Sequence, residues 1–210
     1  MLYNQVKNMG GNTKLNFFSR LFSKMPELET ERLQLRSIKK SDVADIYEYS
    51  SNPKTSQYLL WEKHNSMEYT KKFVDVVLAK YKFGEYHDWA IVLKENRKMI
   101  GTCGFTRIDL DNGIVEIGYV LNPKYWGYGL ATEAAKRIVD FAFNMLPVNR
   151  VEARFLFGND ASLNVMKKLG MKFEGYLREC QLVKGSYRTV GISSILKREY
   201  LLQDKYGESV

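Results

Sequence analysis

The stretch Asn122-Pro123-Lys124-Tyr125-Trp126-Gly127-Tyr128-Gly129-Leu130-Ala131-Thr132 joins an apolar, strand-like run to a long helical pattern. Asn122-Pro123 ends the strand, two glycines pass, and the helix begins. Glycine lets backbone N–H groups approach a ligand with no Cβ in the way. A helix N-terminus adds unpaired N–H donors and the positive end of the helix dipole. The pattern reads as a seat for a phosphate or pyrophosphate, or else as a plain helix-start turn. It is not a dinucleotide fingerprint, because the third glycine is replaced by Thr132 and no acidic residue follows on a second parallel strand. No Gly-Lys-Ser/Thr follows either, which excludes the phosphate loop of nucleotide hydrolases.

Upstream, Ile114 to Leu121 is the third strand of a meander that begins with Asp88 to Lys94 and Lys98 to Ile108. The polar run 109–113 turns the chain between the last two. Downstream, Ala131, Ala134, Ala135, Ile138, Phe141 and Ala142 share one face of the long helix. Arg150 to Phe157 is a strand, residues 160–169 are a helix ended by Gly170, and strands over 171–183 and 187–197 flank Lys184-Gly185-Ser186. Before the meander, Glu31 to Arg36 alternates as a strand and Ser41 caps a helix with Val43, Ile46 and Tyr47. Residues 66–82 form a further helix, with Phe73, Val74, Val77, Leu78 and Tyr81 on one face. An aromatic loop with Tyr58, Trp61 and His64 lies between these two helices. The order predicts an α+β (mixed α/β) domain with a mostly antiparallel sheet of six to seven strands and about four helices. Its one parallel crossover lies over 114–157.

The 210 residues suit one domain. Hydrophobic residues at 45% and charged residues at 27% are ordinary for a globular chain and exclude wholesale disorder. No apolar run is long enough for a transmembrane helix, and the first 25 residues lack a signal-peptide pattern. Cys103 and Cys180 cannot build a disulfide framework or a four-ligand zinc site, and His64 and His87 lack metal-ligand spacing, so no metal is expected. These features point to a soluble cytoplasmic protein. The formal charge of +8 fits a polyanionic partner such as nucleic acid, an anionic membrane or a phosphate-bearing cofactor, or carries no specific meaning. Residues 1–26 contain Lys7, Lys14, Arg20 and Lys24 and no acid. Leu15, Phe18, Phe22 and Met25 recur at helical spacing, so residues 14–25 read as a basic amphipathic helix. Such a helix either meets a membrane or partner, or packs on the domain. The organisation read from the chain is a basic extension 1–26, one domain over 27–203 and a tail 204–210.

Several motifs stand in a familiar order. Leu28-Glu29-Thr30-Glu31-Arg32-Leu33-x-Leu35-Arg36 opens the domain. Ile100-Gly101-x-x-Gly104-Phe105 and Val115-Glu116-Ile117-Gly118-Tyr119-Val120-Leu121 lead into Trp126-Gly127-x-Gly129-x-Ala131-Thr132-Glu133-Ala134. Asn159-x-x-Ser162-x-x-Val165-Met166-x-Lys168-Leu169-Gly170-Met171 follows, with Glu174-Gly175 after it. From about Glu29 to Tyr200 the chain resembles the Gcn5-related N-acetyltransferase (GNAT) superfamily, most of all its branch of bacterial ribosomal-protein N-terminal acetyltransferases.

That resemblance implies a sheet splayed between its fourth and fifth strands and transfer of an acetyl group from acetyl-CoA to an amine. It implies that Trp126, Gly127, Tyr128, Gly129, Leu130, Ala131 and Thr132 hold the CoA pyrophosphate. Tyr119, Val120 and Leu121 would take the pantetheine arm as an added strand, with an N–H near Val120 or Leu121 for the thioester oxygen. Asn159 would bond the same arm, and Lys124 stands where the family's turn begins with Arg or Gln. Glu116 is the candidate base, with a structural ion pair as its other reading. The family's usual acid is a tyrosine on the last helix; Met166 occupies that position, and Ser162 takes the alternative one, with Tyr119 and Tyr176 in reserve. Tyr58, Trp61 and Asp88 would line the acceptor side.

The implied acceptor is a protein N-terminal amine, such as that of a ribosomal protein. Small amines such as polyamines or aminoglycosides are the alternative. The loop 51–65 contributes only Glu62 beside Lys54 and Lys63, which leans toward a peptide. A non-catalytic acyl-CoA- or RNA-binding module is a third reading, and monomer and homodimer both stay open.

Overall fold

The computed structural model describes residues 11–206. Eight strands form one sheet: β1 Leu28–Glu29, β2 Leu33–Arg36, β3 Asp88–Leu93, β4 Met99–Asp109, β5 Ile114–Leu121, β6 Arg150–Leu156, β7 Lys172–Val183 and β8 Ser186–Leu196. Their lateral order is β1-β2-β3-β4-β5-β6-β8-β7. All neighbours are antiparallel except β5 and β6. The strand beyond the expected six to seven is β1, whose Leu28 pairs with Leu35. Two residues are too few for an alternating pattern to be visible.

The described helices are α1 Gly11–Ser23, α2 Val43–Ser50, α3 Pro53–Ser56, α4 Met67–Phe83, α5 Leu130–Met145, α6 Asp160–Lys168 and α7 Lys197–Tyr206. Seven helices thus stand where about four were expected. The single-turn α3 is capped by Asn52, whose Oδ1 accepts from Lys54 N–H at 3.0 Å. The helix α7 follows β8 without a break and is held from outside itself: Tyr200 stacks on Phe143 at 4.9 Å and Lys197 Nζ donates to Phe143 O at 2.7 Å. It runs through residue 204, where a tail was expected to start. None of the described helices is long and apolar enough to cross a membrane.

The strand β3 is apolar on both faces because helices cover both. Trp89, Ile91 and Leu93 enter one core with α1 and α5, while Ala90 and Val92 enter a second with α2 and α4. The segment read as an extension contributes to the first of these. Phe18 and Phe22 of α1 are buried, and Phe22 meets His87, Trp89, Phe105 and Phe141 edge-on at 4.7–6.3 Å. The Trp89 indole N–H donates to Pro26 O at 2.6 Å. Gly84, the left-handed cap of α4, lets α1 cross it, since a Cβ there would strike Ser19 O. The Leu15 side chain and residues 1–10 lie outside the described residues.

The sheet opens where β5 and β6 part. They pair only from Ile114 with Arg150 to Ile117 with Ala153. Beyond that, β5 continues along β4 as far as Leu121, and β6 continues along β8 as far as Leu156. A wedge-shaped gap separates Gly118–Leu121 from Arg154–Leu156.

Candidate active site

Two cavities meet at this gap. The first, of about 350 Å³, lies between the glycine turn, α3 and α6. The second, of about 590 Å³, lies on the α2/α4 face of the sheet. Tyr119, Val120, Asn159 and Ser162 line both.

The turn at the first cavity is open for a local reason. Gly127 and Gly129 have φ of +87° and +77°, which side chains rarely adopt, and no atom stands within 4 Å of where a Gly127 Cβ would be. Gly129 is the N-cap of α5 and has no side chain to offer, so the first-turn N–H groups of Leu130, Ala131 and Thr132 face the cavity uncapped. Trp126, Gly127, Gly129, Leu130, Ala131 and Thr132 all line it. Tyr128 does not; its ring is exposed and its carbonyl accepts from Arg32 Nη1 at 3.0 Å.

Arg32 was not anticipated at this place. Its Nη2 pairs with Glu133 Oε2 at 2.6 Å and lies 3.7 Å from a Cβ built on Gly129. Burial alone would raise the Glu133 carboxyl, but hydrogen bonds from Thr30 and Arg32 hold it below its usual range. Lys54 and Lys168 also line the cavity. Lys124 pairs with Glu48 at 2.9 Å. Glu48 also takes Lys98 at 2.8 Å and Asn122 Nδ2 at 3.1 Å, and these bonds, led by Lys98, pull its carboxyl down to about 2. Glu48 thereby ties the end of β5 to α2.

At the gap, the Asn122 N–H donates to Ile100 O at 2.7 Å. Hydrogen-bonding direction alternates along an antiparallel strand, so the Val120 N–H also points back to β4. The N–H groups of Tyr119 and Leu121 point into the gap. Of the two donors expected there, Leu121 is the one so directed, with its carbonyl occupied by the Trp126 indole N–H at 2.8 Å.

Asn159 caps α6 and holds Ser162: its Oδ1 accepts from Ser162 N–H at 3.2 Å and its Nδ2 donates to Ser162 Oγ at 3.0 Å. The Ser162 hydroxyl hydrogen is left to point elsewhere. Asn159 keeps one amide hydrogen and one lone pair for other partners. The Tyr119 hydroxyl donates to Ser162 O at 3.0 Å, and burial raises its pKa, so it stays protonated with its hydrogen committed. Met166 is buried in the core, and Tyr176 packs among Phe155, Phe157 and Phe173 without lining either cavity.

Glu116 lines the second cavity with both oxygens engaged. Oε1 accepts from Thr106 Oγ1 at 2.9 Å, and Oε2 pairs with Arg154 Nε at 3.1 Å. The carboxylate is held in place by these two contacts. Tyr58, Trp61 and Asp88 line the same cavity. Asp88 opens on the cavity rather than on bulk solvent, and this loss of hydration pushes its carboxyl up to about 6 against a lowering hydrogen bond from Tyr86. His64 binds Thr70 Oγ1 through Nδ1 at 2.9 Å, and burial lowers its pKa. Among the described residues no three His, Cys, Asp or Glu side chains cluster as a metal site.

Residues 32–172 match the model of the acetyltransferase (GNAT) domain family. The chain is 35% identical to an uncharacterized N-acetyltransferase, p20, of Bacillus licheniformis, over 84% of this chain and 99% of that one. It is 24% identical to the spermidine N(1)-acetyltransferase of Escherichia coli K12, over 82% of this chain and 90% of that one. Its fold is similar to that of RimL, a ribosomal L7/L12 alpha-N-protein acetyltransferase solved in complex with coenzyme A. There the TM-score is 0.70 and the identity 20%, covering 81% of this chain and 98% of that one.

Proposed function

The chain belongs to the acetyltransferase (GNAT) family and is an acetyl-CoA-dependent N-acetyltransferase, and on that premise we propose that acetyl-CoA enters the first cavity and a primary amine enters the second. The observation that carries this reading is the meeting of the two cavities at Tyr119, Val120, Asn159 and Ser162, with the glycine turn at one end. The turn fits a pyrophosphate: positive-φ glycines leave it clear, and the uncapped α5 N-terminus, Arg32, Lys54 and Lys168 supply donors and charge.

Acetyl-CoA supplies an acetyl thioester. The amine nitrogen bonds to the acetyl carbon, the carbon–sulfur bond breaks, and the sulfur leaves as a thiol. A protonated amine gives up two protons on the way, and in net one is delivered to sulfur and the other to solvent. Glu116 receives a proton through water, since both its oxygens are already partnered. Ser162, held by Asn159, gives its hydroxyl proton to the sulfur and takes the second amine proton in its place. The Leu121 N–H donates to the thioester oxygen.

Two acceptor classes remain. A protein N-terminus, such as that of a ribosomal protein, is the acceptor implied by the resemblance to the ribosomal branch. A small amine is favoured by the second cavity, whose volume suits a small molecule and whose carboxylates Asp88, Glu116 and Glu62 outnumber its one arginine, Arg154. Thiol release from acetyl-CoA, measured against N-terminal peptides, polyamines and aminoglycosides with coenzyme A affinity in parallel, tests the reading. Acceptor-dependent release supports it. Tight coenzyme A binding with no release on any acceptor would leave a non-catalytic binder, and no binding would overturn it.

A further inference from the structure

The floor of the second cavity crosses three strands by way of two glycines. Asp88 of β3 pairs with Gly104 of β4, and Gly104 pairs with Gly118 of β5. Directly opposed residues put their side chains on the same face, here the face that carries Ala90 and Val92 toward α2 and α4. Gly104 and Gly118 have none to put there. A Cβ on Gly104 would stand 2.5 Å from Asp88 Oδ1, and one on Gly118 would stand 2.6 Å from Thr106 Cγ2. Between the Asp88 carboxylate and the gap the floor is therefore glycine backbone, with the Thr106 side chain leaning over Gly118. Strands are about 4.8 Å apart, so the track from Asp88 to Gly118 is roughly 10 Å long.

Tyr49, Trp61, Phe73 and Tyr86 wall this cavity. Ser50, 1% exposed, lines it too, and its hydroxyl has no hydrogen-bond partner. The charged groups facing the cavity are Asp88, Glu116, Glu62 and Arg154, and Arg154 is already paired with Glu116. An apolar-walled space with a carboxylate and an unused hydroxyl at a distance from the reaction centre suits a cation on an apolar stem.

We propose that Asp88 is the specificity-determining residue of this cavity and that the acceptor is a primary amine carrying a second protonated nitrogen on an apolar chain. The second nitrogen rests on Asp88 while the first reaches the gap. The inference rests on the acetyl-transfer reading and names its acceptor class. A monoamine of equal length would set a methyl group against a poorly hydrated carboxylate. Sites built around a buried polar partner reject analogues that lack it strongly.

The test compares diaminooctane with octylamine as acceptors for the wild type, Asp88→Asn and Asp88→Glu, each checked for folding by circular dichroism. The wild type should prefer the diamine by at least about a hundredfold in kcat/KM. Asp88→Asn should bring the two amines within about threefold of each other, chiefly through the KM of the diamine, and Asp88→Glu should restore part of the preference. Equal use of both amines by the wild type, or an undiminished preference in a folded Asp88→Asn protein, would overturn the inference. Diaminooctane binding to the coenzyme A complex, followed by calorimetry, separates the two readings. Binding lost in Asp88→Asn supports the Asp88 assignment even if no acceptor is acetylated, an outcome that would sink acetyl transfer instead. Absence of diamine binding to the wild type overturns the Asp88 assignment alone.

Discussion

Asn159 grips Ser162 at two points, taking its backbone N–H on Oδ1 at 3.2 Å and giving Nδ2–H to its Oγ at 3.0 Å. One residue thus starts α6 and orients the hydroxyl at the junction of the two cavities. Because the amide donates to Oγ, the serine hydrogen is free to serve a leaving sulfur.

Ser162→Ala should lower kcat by about 10²–10⁴-fold, the usual range for a positioned proton donor, with coenzyme A affinity within about twofold of wild type. Single-turnover kinetics and calorimetry read the two quantities. A normal rate would remove Ser162 as the acid. Asn159→Ala should show a rate loss of the same kind together with about 1 kcal/mol of lost stability from the missing cap.

Gly129→Trp should abolish coenzyme A binding, because φ of +77° strains any side chain there and the ring would fill the turn. Arg32→Ala should weaken binding by about tenfold, or 1.4 kcal/mol, since it removes a cation and strips Glu133 of its partner beside an anion site. Arg32→Ala combined with Glu133→Gln should recover part of that loss in a double-mutant cycle. Unchanged affinity in Gly129→Trp would mean that the ligand does not sit at this turn.

Phe22→Ala should cost about 3–5 kcal/mol, the range for deleting a buried aromatic ring, because Phe22 is fully buried among five aromatic residues. The midpoint of denaturant unfolding measures it. A loss below about 1 kcal/mol would show that α1 is dispensable to the core.

Asp88→Asn should stabilise the protein at high pH and not at low pH. The folded carboxyl titrates at about 6 against an ordinary 3.8, so the folded state holds this proton more tightly than the unfolded chain. Stability on this account is highest with the proton bound, falls as pH rises from about 4 to 6, and stays reduced above that. At 1.36 kcal/mol per pH unit the cost is at most about 3 kcal/mol, and less because the carboxyl opens on a cavity. Melting temperatures of wild type and variant at pH 4 and pH 8 test this. An equal difference at both would rule out the ionised carboxylate as its source.

The turn and its helix are legible in the chain because their causes are local. Two glycines at positive φ, a proline after Asn122 and an apolar stripe from Leu130 to Ala142 act over a few residues. The same holds for Asn159 as the start of α6 and for the alternation of β5. Leu121 as the donor at the gap is half legible: periodicity shows the strand, but which N–H groups point outward depends on the neighbour it pairs with. Helix α7 is hidden because it is held by Phe143, far along the chain, and strand β1 because its two residues are too few to show an alternation.

The second cavity shows the limit most plainly. A search for acidic residues in the loop 51–65 finds only Glu62, because the other carboxylates arrive from β3 and β5. Their meeting depends on the lateral order of strands, which no local signal encodes. Arg32 and Glu133, 101 positions apart, meet for the same reason. The sequence by itself determined most of the elements, the glycine turn and the family, since backbone conformation answers to near neighbours. Only the tertiary structure decided which charges share a cavity, since that follows from how the sheet is ordered and where β5 and β6 part.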